Sequence, residues 1–124
     1  MFLNISNHPS SKWSAEQIEA ARRIGGEIVD VPFPNVPDNA SMIDIYFLRD
    51  RLIEEIESRN AVVMIQGESN LTYAVVSALE FLHNWMTGTV FAATTRRETV
   101  ETVEADGSTK KTSVFRFSGF RPYF

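Results

Sequence analysis

The chain has 124 residues, 44% of them hydrophobic and 23% charged, an ordinary balance for one folded domain with a real core. No apolar run approaches the roughly 20 residues needed to span a bilayer, and polar Asn4, Asn7 and His8 interrupt any signal-peptide pattern, so the cytoplasm is the expected compartment. Cysteine is absent, which removes disulfides and thiolate metal sites. The net charge of −4 argues against broad binding to duplex nucleic acid, yet leaves room for a small basic pocket.

Phe2–Ser6 reads as a first strand, and it stops in a run of polar or conformationally special residues, Ser6-Asn7-His8-Pro9-Ser10-Ser11-Lys12. That run is long for a strand-to-helix connection, which usually takes about 2–6 residues. Ser14-Ala15-Glu16-Gln17 fits a capping box, with Trp13 and Ile18 as its hydrophobic staple. Ile18, Ala21 and Ile24 then mark the apolar face of a first helix, and Gly25 is the expected left-handed stop. Glu27–Val31 is a second strand ended by Pro32. The prolines of Pro32-Phe33-Pro34-Asn35-Val36-Pro37 exclude a helix there.

Ser41 and Asp44 open a second helix with a buried stripe of Ile45, Leu48, Leu52 and Ile56. Ala61–Ile65 is almost wholly apolar, as in a central strand covered on both faces. After Gln66-Gly67-Glu68-Ser69-Asn70 comes a third helix, about Leu71 to Met86, apolar nearly all round and therefore expected to be well covered. Val90–Ala93 begins a fourth strand that leads into Thr94-Thr95-Arg96-Arg97. Thr99–Glu104 then alternates, Asp106-Gly107 signals a two-residue hairpin turn, and Thr112–Ser118 returns as a strand. This order specifies one α/β domain over residues 1–124. Its expected form is a Rossmann-like open sheet, mainly parallel and ordered 2-1-3-4, with three helices and a C-terminal β-hairpin extension.

In such a sheet the winding reverses between strands one and three, and ligands bind outside the carboxyl ends of the strands at that point. Three polar segments converge there: Ser6–Lys12, Gln66–Asn70 and Thr94–Arg97. Helix N-termini, the guanidinium forks of Arg96 and Arg97, and His8 suit a phosphorylated ligand. Gly67 permits close approach of the backbone, and Glu68 can accept from a ribose hydroxyl or an exocyclic amine. The candidate catalytic residues are His8, Arg96 and Glu68. The candidate ligand-binding residues are Ser6, Asn7, Ser10, Ser11, Lys12, Gln66, Gly67, Ser69, Thr94, Thr95 and Arg97. Each has a structural alternative: His8 as a turn residue, the arginines as partners of Glu98 or Glu101, and Glu68 as a carboxylate at a helix start.

No cofactor or metal is expected. There is no GxGxxG after the first strand, no P-loop and no GxSxG elbow, and two distant histidines without cysteine make a poor zinc site. Lys110-Lys111 reads as a solvated hairpin edge.

The Ser-Asn-His-Pro loop, Gly67-Glu68, Thr94–Arg97 and Phe117-Ser118-Gly119-Phe120-Arg121 together resemble a small stand-alone CRISPR-associated Rossmann-fold (CARF) protein, similar to the short members of type III systems. The resemblance implies binding of a cyclic oligoadenylate second messenger across a homodimer two-fold, in antiviral defence. It also implies that the ring is bound by Ser6–His8, Gln66–Ser69 and Arg96 or Arg97. Some such proteins cut the ring without metal, through attack of a ribose 2′-hydroxyl on the adjacent phosphate; whether this chain does so stays open. Two other readings stand beside it: a nucleoside or nucleotide-sugar hydrolase or transferase using Glu68, and a non-catalytic scaffold with an aromatic C-terminal interface. For that interface Phe120 and Tyr123 are better placed than Phe115 and Phe117.

Overall fold

A computed structural model describes residues 1–124 of the chain. Phe2–Ser6 forms β1, buried along four of its five residues because it lies inside the sheet with a parallel neighbour on each side. These neighbours are β2 (Ile28–Pro32) and β3 (Val62–Gln66). Between β1 and β2 runs α1 (Ala15–Gly25), and between β2 and β3 runs α2 (Met42–Glu57). After β3 come α3 (Ser69–Phe81), β4 (Val90–Val103) and β5 (Thr109–Pro122). The sheet order is β2-β1-β3-β4-β5, parallel throughout except for the antiparallel β4–β5 pair. The expected Rossmann-like order is present, with β5 as a fifth strand.

Period-two alternation divides the sheet side chains between two layers. Leu3, Ile5, Val63 and Ile65 face α2 and α3, and with Ile45, Leu52, Ile56, Leu71, Val75 and Leu79 they form the larger core. Phe2, Met64 and Phe91 face α1 and pack with Trp13 and Ala21 in a smaller one. Of the box expected at Ser14 only one half forms, the Ser14 hydroxyl accepting from the Gln17 N–H without a return bond from Gln17. Ser41 and Asp44, by contrast, complete a reciprocal capping box.

Three local expectations are corrected. The first helix stops at Gly26, whose φ is 83°, rather than at Gly25. Gly25 is required for closeness instead, since a Cβ there would lie 2.9 Å from the Met1 carbonyl, Phe2 Cβ and Val62 Cγ2. α3 ends at Phe81, not near Met86. His83 N–H turns back to the Ala78 carbonyl and Trp85 N–H to that of Leu79, around Asn84 at φ 55°. Tyr73, Phe81, Leu82 and Met86 are therefore exposed rather than covered. The hairpin loop is one residue longer than a two-residue turn. Gly107 donates to the Glu104 carbonyl and takes φ 86°, while Glu104 N–H meets the Ser108 carbonyl, as in a type I turn closed by a glycine bulge.

The expected C-terminal hairpin is present, and its first strand is the outer part of β4. β4 pairs with β3 only at Val63↔Val90 and Met64↔Phe91, then runs on past the carboxyl edge of the sheet with β5 as its sole partner. No residue beyond Phe91 is fully buried. The outer parts of β4 and β5 are thus a two-stranded ribbon standing on the edge where the site lies.

Candidate functional site

The loop after β1 is held by a buried amide. Asn4, 1% exposed, sits in the middle of an otherwise apolar strand, where an unpaired polar group would be costly. Its Nδ2 donates to the His8 carbonyl at 2.9 Å and to Asp30 Oδ1 at 2.8 Å. Its Oδ1 takes the single Ser6 hydroxyl proton at 2.7 Å, leaving Ser6 Oγ to accept from the His8 N–H at 3.2 Å. Trp13 Nε1 adds a second donor to the His8 carbonyl at 3.1 Å. The His8 peptide is therefore fixed from both sides, while its imidazole makes no hydrogen bond and is exposed. Ser10 is spent on structure: its N–H and hydroxyl both bind Asp30, and Ser10–Lys12 makes one 3-10 turn that delivers Trp13 to the core.

At the end of β3, Gln66 continues the ladder with its side chain. Past Phe91 the next free donor of β4 is Ala93 N–H, and Gln66 Oε1 accepts it at 2.9 Å. The remaining amide NH₂ has no protein partner. Gly67 is small because Phe33 lies against it; a Cβ would overlap that ring. Glu68 has the structural role, since Oε1 and Oε2 cap α3 by accepting from Asn70 and Leu71 N–H at 2.9 and 2.8 Å. Each oxygen is thus engaged by the start of α3.

The base of the ribbon is the third wall. Ser118 in β5 has no opposite residue between the Thr94↔Gly119 and Thr95↔Phe117 pairs, a bulge that puts Phe117 and Phe120 on the same face. Their rings lie 5.0 Å apart, and Phe120 continues to Phe2 at 5.0 Å and Trp13 at 6.1 Å. Phe120 thus belongs to this chain's own core, and Tyr123 is tied down by its hydroxyl on the Ile65 carbonyl at 2.8 Å, with burial raising its pKa. Tyr123 is 39% exposed and Phe115 68% exposed.

Arg97 shares a ribbon face with Phe115 and donates to Ser113 Oγ at 3.0 Å. Arg96 points to the other face, where it and Arg116 both bind Glu98. These hydrogen bonds, Arg96's first, hold the Glu98 carboxyl below the usual range. The Thr94 hydroxyl is used by the Gly119 carbonyl at 2.9 Å.

Three hollows meet at Gln66. On the α1 side, one of about 580 Å³ is lined by His8, Lys12, the start of α1 from Ser14 to Gln17, and Thr95, Phe115, Arg116 and Phe117. An adjoining one of about 430 Å³ contains Ser6, Asn7, His8, Gln17 and Gly67. On the α3 side, a third of about 360 Å³ is bounded by Gly67, Ser69, Thr72, Tyr73, Val76 and Tyr123.

The structure thus brings Ser6, Asn7, His8, Lys12, Gln66, Gly67 and Thr95 together, with Ser69 across the Gln66 ridge. Ser10, Glu68 and Thr94 serve the scaffold, Ser11 is exposed outside these hollows, and Arg96 and Arg97 do not line them. Gln17, which lines two of them, was missed because it had been assigned only to capping.

Fold and site together define a Rossmann-like α/β protein with an open, partly basic cleft at its strand-order reversal, overhung by a β-ribbon. A family model described as "Uncharacterized protein MJ1673 family" matches residues 1–121, and the chain belongs to that family. No curated protein and no solved structure matches it. No helix is long and apolar enough to cross a membrane.

Proposed function

We propose that this protein binds a cyclic oligoadenylate second messenger, held between two copies of the chain, and that it acts in the cytoplasm. The observation that carries the reading is the α1-side hollow. There His8 and Lys12 from the first loop meet Thr95 and Phe117 of the ribbon around the start of a helix. Ser14 satisfies only the Gln17 and Ile18 N–H groups, so those of Ala15 and Glu16 stay available to an anion. The only acidic side chain lining it is Glu16. The CARF-like resemblance of the loop segments supports the same ligand class. The Glu68 hydrolase reading loses support, because that carboxylate is engaged at both oxygens.

The same hollow suits a cut of the ring by its own ribose. The 2′-oxygen attacks the adjacent phosphorus and the bond to the 5′-oxygen breaks, leaving a 2′,3′-cyclic phosphate and a 5′-hydroxyl. The 2′-hydroxyl proton passes to His8, and the leaving oxygen takes one from water. Such a reaction depends on alignment and on positive groups facing the phosphorane, a role for Lys12 and the free N–H groups of Ala15 and Glu16. Calorimetry with cyclic tetra-adenylate is the test. Binding should weaken about tenfold in Lys12→Ala, while His8→Ala should still bind but release no linear product. Absence of binding to any cyclic oligoadenylate ends the reading.

A further inference from the structure

We infer that the α3-side hollow is a nucleobase site for a purine ring, a reading that rests on the proposed function and assigns it a second half. The hollow is mainly apolar, about 360 Å³, and separated from the basic hollow only by Gln66 and Gly67. Its two aromatic walls differ in kind. Tyr123 is anchored through its hydroxyl to the Ile65 carbonyl, so its ring is a fixed surface. Tyr73 is 75% exposed and its hydroxyl has no partner, so its ring is open to stack on.

The free NH₂ of Gln66 and the Ser69 hydroxyl supply polar contacts at the rim.

An apolar slot with aromatic walls and a few convergent polar groups suits a flat heterocycle. No cationic side chain lines it, so phosphate is directed to the other side of the ridge. A nucleotide would straddle Gln66, its base beside Tyr73 and its phosphate beside His8 and Lys12. Stacking would provide affinity, and the Gln66 NH₂ and Ser69 hydroxyl would provide base preference.

The test uses adenosine, which carries the base without phosphate, in an amide-resolved NMR titration of the full chain. Adenosine should shift Ser69, Thr72, Tyr73 and Tyr123 and leave His8 and Lys12 in place. Its binding should weaken about tenfold in Tyr73→Ala and about fivefold in Ser69→Ala, with uridine the poorer ligand throughout. Adenosine shifts absent from these residues, or unchanged in both variants, overturn the base site even if cyclic tetra-adenylate binds. Shifts at the same residues on raising protein concentration alone also overturn it, because they mark a subunit contact. If adenosine docks as described and no cyclic oligoadenylate binds, the base site stands and the second-messenger reading falls.

Discussion

Asn4 is the residue on which the first loop depends. Its amide is buried and saturated, and it links β1, Asp30 of β2 and the His8 carbonyl. Asn4→Leu keeps the branching and heavy-atom count but strips a donor from two acceptors, so unfolding in urea should show a loss of about 2 kcal/mol. Cyclic tetra-adenylate affinity should fall with it, because the His8 peptide loses one of its two fixed donors. A variant as stable as the parent would show that Trp13 alone holds the loop.

Gly25 makes a different point. Gly25→Ala adds a methyl 2.9 Å from three atoms, one of them a backbone oxygen, and should cost about 2 kcal/mol through overpacking. Sequence alone read Gly25 as a helix stop, since a glycine ending an apolar periodicity has that common use. The close approach of β1 and β3 that demands it is tertiary and leaves no local mark. Glu68 was legible as either a cap or an active carboxylate. Only its two hydrogen bonds decide for the cap.

Among the elements, the ribbon was the least legible. Thr99–Glu104 and Thr112–Ser118 alternate as strands should, but Thr94–Arg97 looks like a site loop, which hid the continuity of β4 from Val90 to Val103. α3 was overextended for a related reason: Leu82–Met86 holds no glycine or proline, and its turn is fixed by Asn84 and by Trp85 Nε1 reaching Glu57 at 3.3 Å. The ribbon's electrostatics carry a pH prediction. Hydrogen bonds from Arg96 and Arg116 lower the Glu98 pKa below 4.5, and those from the Ser108 hydroxyl and N–H lower that of Asp106 below 3.8. A depressed carboxylate stabilises the fold above its ordinary pKa, and that contribution is lost as pH falls through the depressed value. Ribbon amides should therefore exchange faster as pH drops from 4.5 downward, after correction for intrinsic rates, ahead of those in β1 and β3. Both carboxylates are exposed, so the effect is local and salt should shrink it. Equal sensitivity in Glu98→Gln would exclude Glu98 as its source.

At the scale of the whole molecule, the strand order explains why residues 6–12, 66–69 and 95 share one edge, and that much was legible from alternating strands and helices. Their division into two hollows was not, because it depends on Gln66 bridging to Ala93 and on the Ser118 bulge. The same geometry bears on assembly. One chain offers a single cationic hollow and a single aromatic one, whereas a ring of four nucleotides carries four phosphates and four bases. A two-fold axis would double both sets and match the ring's own symmetry, as isologous pairing requires. The expected stoichiometry is therefore one cyclic tetra-adenylate per two chains by calorimetry, with light scattering giving a dimer at micromolar concentration. Thr95→Glu places a charge in each copy of the basic hollow and should weaken ring binding without dissociating a dimer held elsewhere. A chain that stays monomeric while binding one ring each would refute the shared site. The ring would then lie on a single open edge, with most of its phosphates left in water.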